Sequence, residues 1–191
     1  MNLILQNIAR HIALTVDEQE IVTSFFQSNS YHAKTIILEP GAICINSFFV
    51  LSGIVRSYTI DENGTEHIVS FACADWWIAD MYSYISQRPG YLYIEINDDA
   101  RLLSLSRIDQ YKMLGQVPKM ERYFRILIEN SLVANQQRLI DNMTFTAEAR
   151  YDKFSHKYPE LINHLPQKQI ASYIGVTPEF FSKMKSRLLR Q

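Results

Sequence analysis

The chain has 191 residues, 47% of them hydrophobic, and a net charge of −1. That is apolar material enough for one large core or two small ones. No apolar run approaches the length needed to cross a bilayer. Residues 1–10 lack the charged start, apolar centre and small-residue cleavage site of a signal peptide, so a cytoplasmic protein is expected. Cys44 and Cys73 are too few for a disulfide scaffold and too far apart for a Cys-x-x-Cys metal knuckle, and are read as buried free thiols. Charge is uneven along the chain. Residues 166–191 hold Lys168, Lys183, Lys185, Arg187 and Arg190 against Glu179, or +4, which leaves −5 on the remainder. A basic end on an acidic body is the electrostatic footprint of a DNA-contacting module, although a basic tail produces the same count.

In chain order, 16–27 reads as a helix that Thr15 or Asp17 caps. From Tyr31 to Leu105, β-branched and aromatic runs alternate with turn signals, and the pattern predicts six strands: 34–38, 47–51, 54–60, 66–71, 91–96 and 101–105. Asn63-Gly64 is the strongest hairpin turn among them. Short strands with turns at this spacing indicate an antiparallel barrel or jelly roll. A short helix is expected over 107–114 and a long one over 117–143. Along the long helix Val117, Met120, Phe124, Ile128, Leu132, Leu139 and Met143 recur at steps of three or four, or their multiples, with Asn135 the polar member. Such a stripe predicts a parallel dimer seam through Met120, Phe124, Ile128, Leu132 and Leu139; packing on the chain's own barrel is the alternative. Thr146 to Arg150 opens a further helix that Pro159 stops.

The segment 165–189 carries the most specific pattern. Pro166 opens a short helix where a missing N–H costs nothing, and Ile170 and Ile174 give it an apolar stripe. Ala171 keeps the crossing point small. Gly175 supplies the left-handed residue of a tight turn, which Val176 plugs. Thr177 is an N-cap, Pro178 takes the first helical position, and Glu179 complements the helix dipole. Phe181, Met184 and Leu188 then face inward, leaving Glu179, Ser182, Lys183, Arg187 and Arg190 on the other faces. This is the layout of a helix-turn-helix with a recognition helix, hence DNA binding; a helical hairpin that only packs a core shares part of it.

Sensor-like strands, a long helix and a terminal helix-turn-helix, in that order, resemble the Crp/Fnr family of bacterial transcription regulators over the whole chain. The match is most specific at Thr-Ala-Glu-Ala-Arg-Tyr-Asp-Lys-Phe (146–154), Tyr-Pro-Glu-Leu (158–161) and Gln-Ile-Ala-Ser-Tyr-Ile-Gly-Val-Thr-Pro-Glu (169–179), as in members common in the Bacteroidetes. The resemblance implies an α+β fold with a cyclic-nucleotide-binding-like jelly roll over 1–115, a dimerisation helix over 116–143 and a winged-type helix-turn-helix domain over 144–191. It implies a homodimer on a near-palindromic duplex, with RNA polymerase as a candidate partner. By the same resemblance Glu179, Ser182 and Lys183 read bases, and Gln167, Lys168, Thr177, Lys185 and Arg187 contact phosphates.

Cyclic-nucleotide binders of the family carry Phe-Gly-Glu and, further on, Arg-Ser/Thr-Ala. Here the first stretch is Phe71-Ala-Cys-Ala-Asp-Trp-Trp-Ile-Ala-Asp80, and Arg88 is followed by Pro89 and Gly90, which puts Gly90 near the expected Arg. A phosphate without its guanidinium loses a charge-assisted contact, which argues against cyclic AMP. Two cysteines cannot supply the four thiolates of an iron–sulfur cluster. No resident cofactor is expected. An effector site, if the roll has one, is placed at Phe71, Trp76, Trp77, Asp80, Arg88 and Tyr91; aromatics here either line an apolar pocket or fill the barrel. The five histidines have no metal-ligand spacing, and no metal site is expected. Glu66-His67 standing alone speaks against a metal-dependent cupin enzyme, so no enzyme is expected; a ligand-binding adaptor without DNA is the remaining alternative.

Overall fold

The computed structural model describes residues 2–188, so Leu189, Arg190 and Gln191 lie outside the description. Two compact units are present. The first is Met1–Thr59 with Val69–Glu129; the second is Ile60–Ile68 with Asn130–Gln191.

The first unit begins with α1 (Asn2–Ala9) and α2 (Val16–Ser24). Thr15 caps α2 in a full capping box with Glu18. Then come β1 (Gln27–Tyr31), β2 (Ile36–Leu38), β3 (Asn46–Ile60), β4 (Glu66–Ala72) and β5 (Trp77–Ile78). They are followed by α3 (Met81–Ser86), β6 (Tyr93–Ser106) and α4 (Arg107–Gln116). The sheet runs β1-β6-β3-β4, with β2 also on β6 and β5 on β3. The spine is the antiparallel pair β3/β6, in register from Asn46 opposite Ser106 to Tyr58 opposite Tyr93.

Two pairs of predicted strands are each a single strand. Ser52-Gly53, read as a turn, is a bulge inside β3: Gly53 has φ +86, and a Cβ there would run into the Asp99 carbonyl oxygen and Ala100. Asn97 to Asp99, also read as a turn, passes opposite that bulge within β6. β1 escaped the sequence pattern because Gln27-Ser-Asn-Ser-Tyr31 is polar and almost wholly exposed. α1 is short, and its Ile4 and Ile8, one turn apart, are buried.

Alternation along the strands gives the sheet two buried faces. Phe48, Val50, Val55, Ile94, Ile96 and Leu102 form the interior of the roll. Phe49, Leu103 and Leu105 face the other way, toward Ile4, Ile8, Val22, Met113, Val117, Met120 and Tyr123 of the surrounding helices.

The second unit holds most of the C-terminal half of α5 (Lys119–Thr144), then α6 (Ala147–Lys157), α7 (Gln167–Ile174) and α8 (Pro178–Leu188). The boundary between the units falls inside α5. Thr146 caps α6, and the Arg150 guanidinium donates to the Asn142 and Phe145 carbonyls at the end of α5, which accounts for the Thr-x-x-x-Arg spacing. Lys153 pairs with Asp141 at 2.7 Å across the same corner. Rings of Phe154, Tyr158 and Tyr173 meet at 5.2 to 5.8 Å, and Tyr151 sits edge-on to Phe181. Among the described residues no strand follows β6, so the hairpin of a winged variant is not seen around this helix-turn-helix.

Candidate nucleic-acid interface

α7 and α8 take the geometry their residues dictate. Gly175 has φ +74 and donates back to the Ala171 and Ser172 carbonyls, and Val176 N–H bonds the Ala171 carbonyl at 3.0 Å, closing the helix in a left-handed cap. Ala171 is fully buried where the two helices approach. Thr177 Oγ1 accepts from Phe180 N–H at 3.2 Å and caps α8. Phe181 and Met184 are buried, together with Ile170 and Ile174.

These anchors settle what the other faces show. Glu179, Ser182 and Lys183 are exposed on α8; Gln167 and Lys168 are exposed on the first turn of α7, as is Thr177 before α8. Lys185 is half-buried. Arg187 is exposed but pairs with Glu148 of α6 at 3.3 Å. An exposed pair of this kind is worth well under about 1 kcal/mol and yields readily to a phosphate. Ser182, Lys183, Ser186 and Arg187 line an open groove of about 440 Å³ with Phe180.

Sequence reasoning missed the clasp on the other side of α7. Ser172 Oγ donates to the Glu66 carbonyl at 2.7 Å and accepts from Ile68 N–H at 2.9 Å. Arg138 of α5 donates to the Ile68 and Tyr173 carbonyls and stacks over the Tyr173 ring at 4.1 Å. The β3–β4 turn, 60–68, is thereby held against the first helix of the pair. No local signal in the sequence announces it.

The α5 stripe divides in two. Met120 is fully buried in the helix-side core and Phe124 packs on the same core, so Met120 is no interface residue: its own chain already covers it. From Ile128 onward the stripe stays bare. Leu132 and Leu139 are 65% and 61% exposed, and Val133, Ile140 and Met143 extend the same apolar surface.

The six effector candidates do not converge. Trp76 and Trp77 are neighbours and therefore point to opposite faces of the sheet. Trp76 packs against the roll interior. Trp77 lies in the helix-side core between Phe26, Phe49 and Phe124, and its indole N–H donates to Tyr123 Oη at 2.9 Å. Tyr123 in turn donates to Asn7, whose amide bonds Asp75, and burial pushes the Tyr123 phenol well up. Phe71 is core. Asp80 is only 2% exposed; its carboxylate caps α3 through Ser83 N–H and also accepts from Tyr91 and Leu92 N–H. Gly90 is required beside it, because a Cβ would collide with Asp80 Oδ2. The side chains of Arg88 and Tyr91 are on the surface. Trp77 and Asp80 are thus corrected to structural roles, since every polar atom they would offer a ligand has an internal partner.

Among the described residues no group of three or more His, Cys, Asp or Glu is placed to hold a metal ion, and no helix is long and apolar enough to cross a membrane.

No protein-family model matches the chain. The anaerobic regulatory protein of Haemophilus influenzae is 22% identical over 190 residues, which cover 92% of this chain and 73% of that protein. In fold, the chain is similar to FixK2 from Bradyrhizobium japonicum at a TM-score of 0.71 and 21% identity, over 87% of this chain and 85% of that one. A transcriptional regulator of the Crp/Fnr family from Eubacterium rectale matches at a TM-score of 0.68 and 14% identity, over 90% and 82%. The chain thus resembles an anaerobic regulatory protein in sequence nearly end to end and has the fold of FixK2 and of a Crp/Fnr-family protein.

Proposed function

We propose that two copies of the chain pair through α5 and read a near-palindromic DNA duplex with their α8 helices. The observation that carries this reading is the exposed face of α8, where Glu179, Ser182 and Lys183 stand out above buried Phe181 and Met184. In a major groove the Glu179 carboxylate accepts from cytosine N4, and the Lys183 ammonium donates to guanine O6 and N7. Gln167, Lys168, Thr177, Lys185 and Arg187 hold phosphates and set the register. The bare apolar surface from Ile128 to Met143 is the surface a second copy would cover. Two recognition helices then meet successive major grooves about 34 Å apart.

On this reading 1–115 is a sensor, 116–143 the dimer helix and 144–191 the reading head, in a cytoplasmic regulator that is no enzyme and answers to RNA polymerase. No resident cofactor is assigned, since within these residues Cys44 and Cys73 fall short of a four-thiolate cluster. The effector is not a cyclic nucleotide: calorimetric titration with cyclic AMP or cyclic GMP should show no binding tighter than about millimolar.

The test is selection of a duplex from a random pool, followed by affinity measured between about 50 and 200 mM salt, where phosphate contacts predict a fall of several orders of magnitude. Sedimentation supplies the second arm. Ile128→Lys with Leu132→Lys puts four like charges on the shared seam and should leave monomers. A salt-independent affinity, or a wild-type monomer at micromolar concentration, overturns the reading.

A further inference from the structure

α8 exposes one large aromatic side chain that neither the base-reading set nor the core uses. Phe180 is 44% exposed. A single apolar residue on a surface is ordinary, and it is the position of this one that matters. Its N–H is the one capped by Thr177, so Phe180 lies in the first turn of α8, directly after Glu179. The N-terminal residues of a recognition helix are those that reach base edges. Phe180, Lys183 and Arg187 recur at steps of three and four, and all three line the same open groove. Lys183 and Arg187 thus follow the ring about one and two turns further along the same groove.

We infer that Phe180 is a specificity residue that packs its ring against the C5-methyl of a thymine in each half-site. The inference rests on the DNA-reading role proposed above and deepens it. A phenyl ring has no hydrogen bond to offer a base edge, so it discriminates by apolar contact alone. In the major groove the apolar feature of the four base pairs is the thymine methyl, which sits at the position where cytosine carries only hydrogen. Contact there removes ring and methyl from water together, while Lys183 and Glu179 beside it read the polar edges of adjacent pairs.

The experiment replaces each thymine of the selected duplex in turn by deoxyuridine, which deletes one methyl and keeps every hydrogen bond. At one thymine per half-site the wild-type protein should lose about fourfold in affinity, the value of burying roughly one methyl group. Phe180→Ala should bind the thymine duplex more weakly and be indifferent to the same replacement; Phe180→Leu should retain part of the sensitivity. Thermal melting confirms that each variant folds, as the exposed position leads one to expect. If wild type and Phe180→Ala respond identically at every thymine, or if wild type ignores all replacements, the inference falls while DNA reading stands. If no duplex is selected at all, DNA reading itself fails and takes the inference with it.

Discussion

The segment 71–91 and the segment 167–187 were each expected to present a ligand-facing set of side chains; the first disperses its set among different neighbours, whereas the second leaves most of its set exposed on two helices. In α7 and α8 buried and exposed side chains alternate at helical spacing, so burying Ile170, Ile174, Phe181 and Met184 leaves Glu179, Ser182 and Lys183 outside. In 71–91 the chain passes from β4 through β5 to α3 and meets a different neighbour at almost every residue. Trp77 goes to the helix-side core, Asp80 to a cap, and the Tyr91 ring lies against Tyr82 at the surface. A continuous helix keeps a face together; a segment threaded through several elements distributes its side chains among them.

The largest effect that sharpens this comparison is expected at Trp77. Trp77→Ala removes a ring packed on three others and leaves Tyr123 Oη without its donor, and should cost about 3 kcal/mol in urea unfolding. The comparison breaks if this variant keeps wild-type stability, because Trp77 would then be free to serve a ligand. Lys183→Ala should leave stability within about 0.5 kcal/mol and cost roughly 1 to 3 kcal/mol of operator binding per half-site, with relaxed preference at one base pair. Lys168→Ala is expected to weaken binding to all sequences alike and to lower the salt slope by about one per half-site. Single-base operator variants at several salt concentrations separate the two, and an exchange of their behaviours would mean that the faces of α7 and α8 are assigned wrongly.

A smaller effect concerns the corner between α5 and α6. The Lys153 ammonium, with Gln137, holds the Asp141 carboxyl below the ordinary carboxylate range. Its folded form binds a proton more weakly than the unfolded chain does. The stability it contributes is therefore complete above the unfolded value of about 3.9 and is lost as pH falls through the lowered folded value. Lys153→Met should flatten that acid limb in thermal melts taken from about pH 6 to pH 2. An unchanged limb would show that the pair contributes nothing to holding α6 on α5.

Much of the molecule is legible in sequence because its causes are local. Thr177, Pro178 and Gly175 each act through their own backbone angles or a cap three residues away, and the helix-turn-helix follows from them without knowledge of the rest. The strands 34–38 and 66–71 were likewise visible from composition, and both correspond to elements of the sheet. Turn-like residues in mid-strand misled the pattern at Ser52-Gly53 and at 97–99, because a bulge and a turn use the same residue types and differ only in what lies opposite. The polar strand β1 had no apolar alternation to announce it.

By itself, then, the amino-acid sequence determined the helices α7 and α8, their turn, the burial of Ile170, Ile174, Phe181 and Met184, and the existence of a strand-rich unit before a long helix, whereas Leu188, expected to face inward, is 39% exposed. Tertiary structure alone decided where the α5 stripe stops serving its own chain: Met120 and Leu132 are equally apolar and lie on one periodic stripe, yet one is sealed in the core and the other is 65% exposed. It also decided that Ser172, 104 residues from Ile68, would clasp the β3–β4 turn, and that Asp80 would spend its carboxylate on the backbone of 83, 91 and 92. Periodicity and caps are properties of neighbours in sequence, whereas burial and long-range hydrogen bonds depend on which distant surface arrives, and the chain states that only by folding.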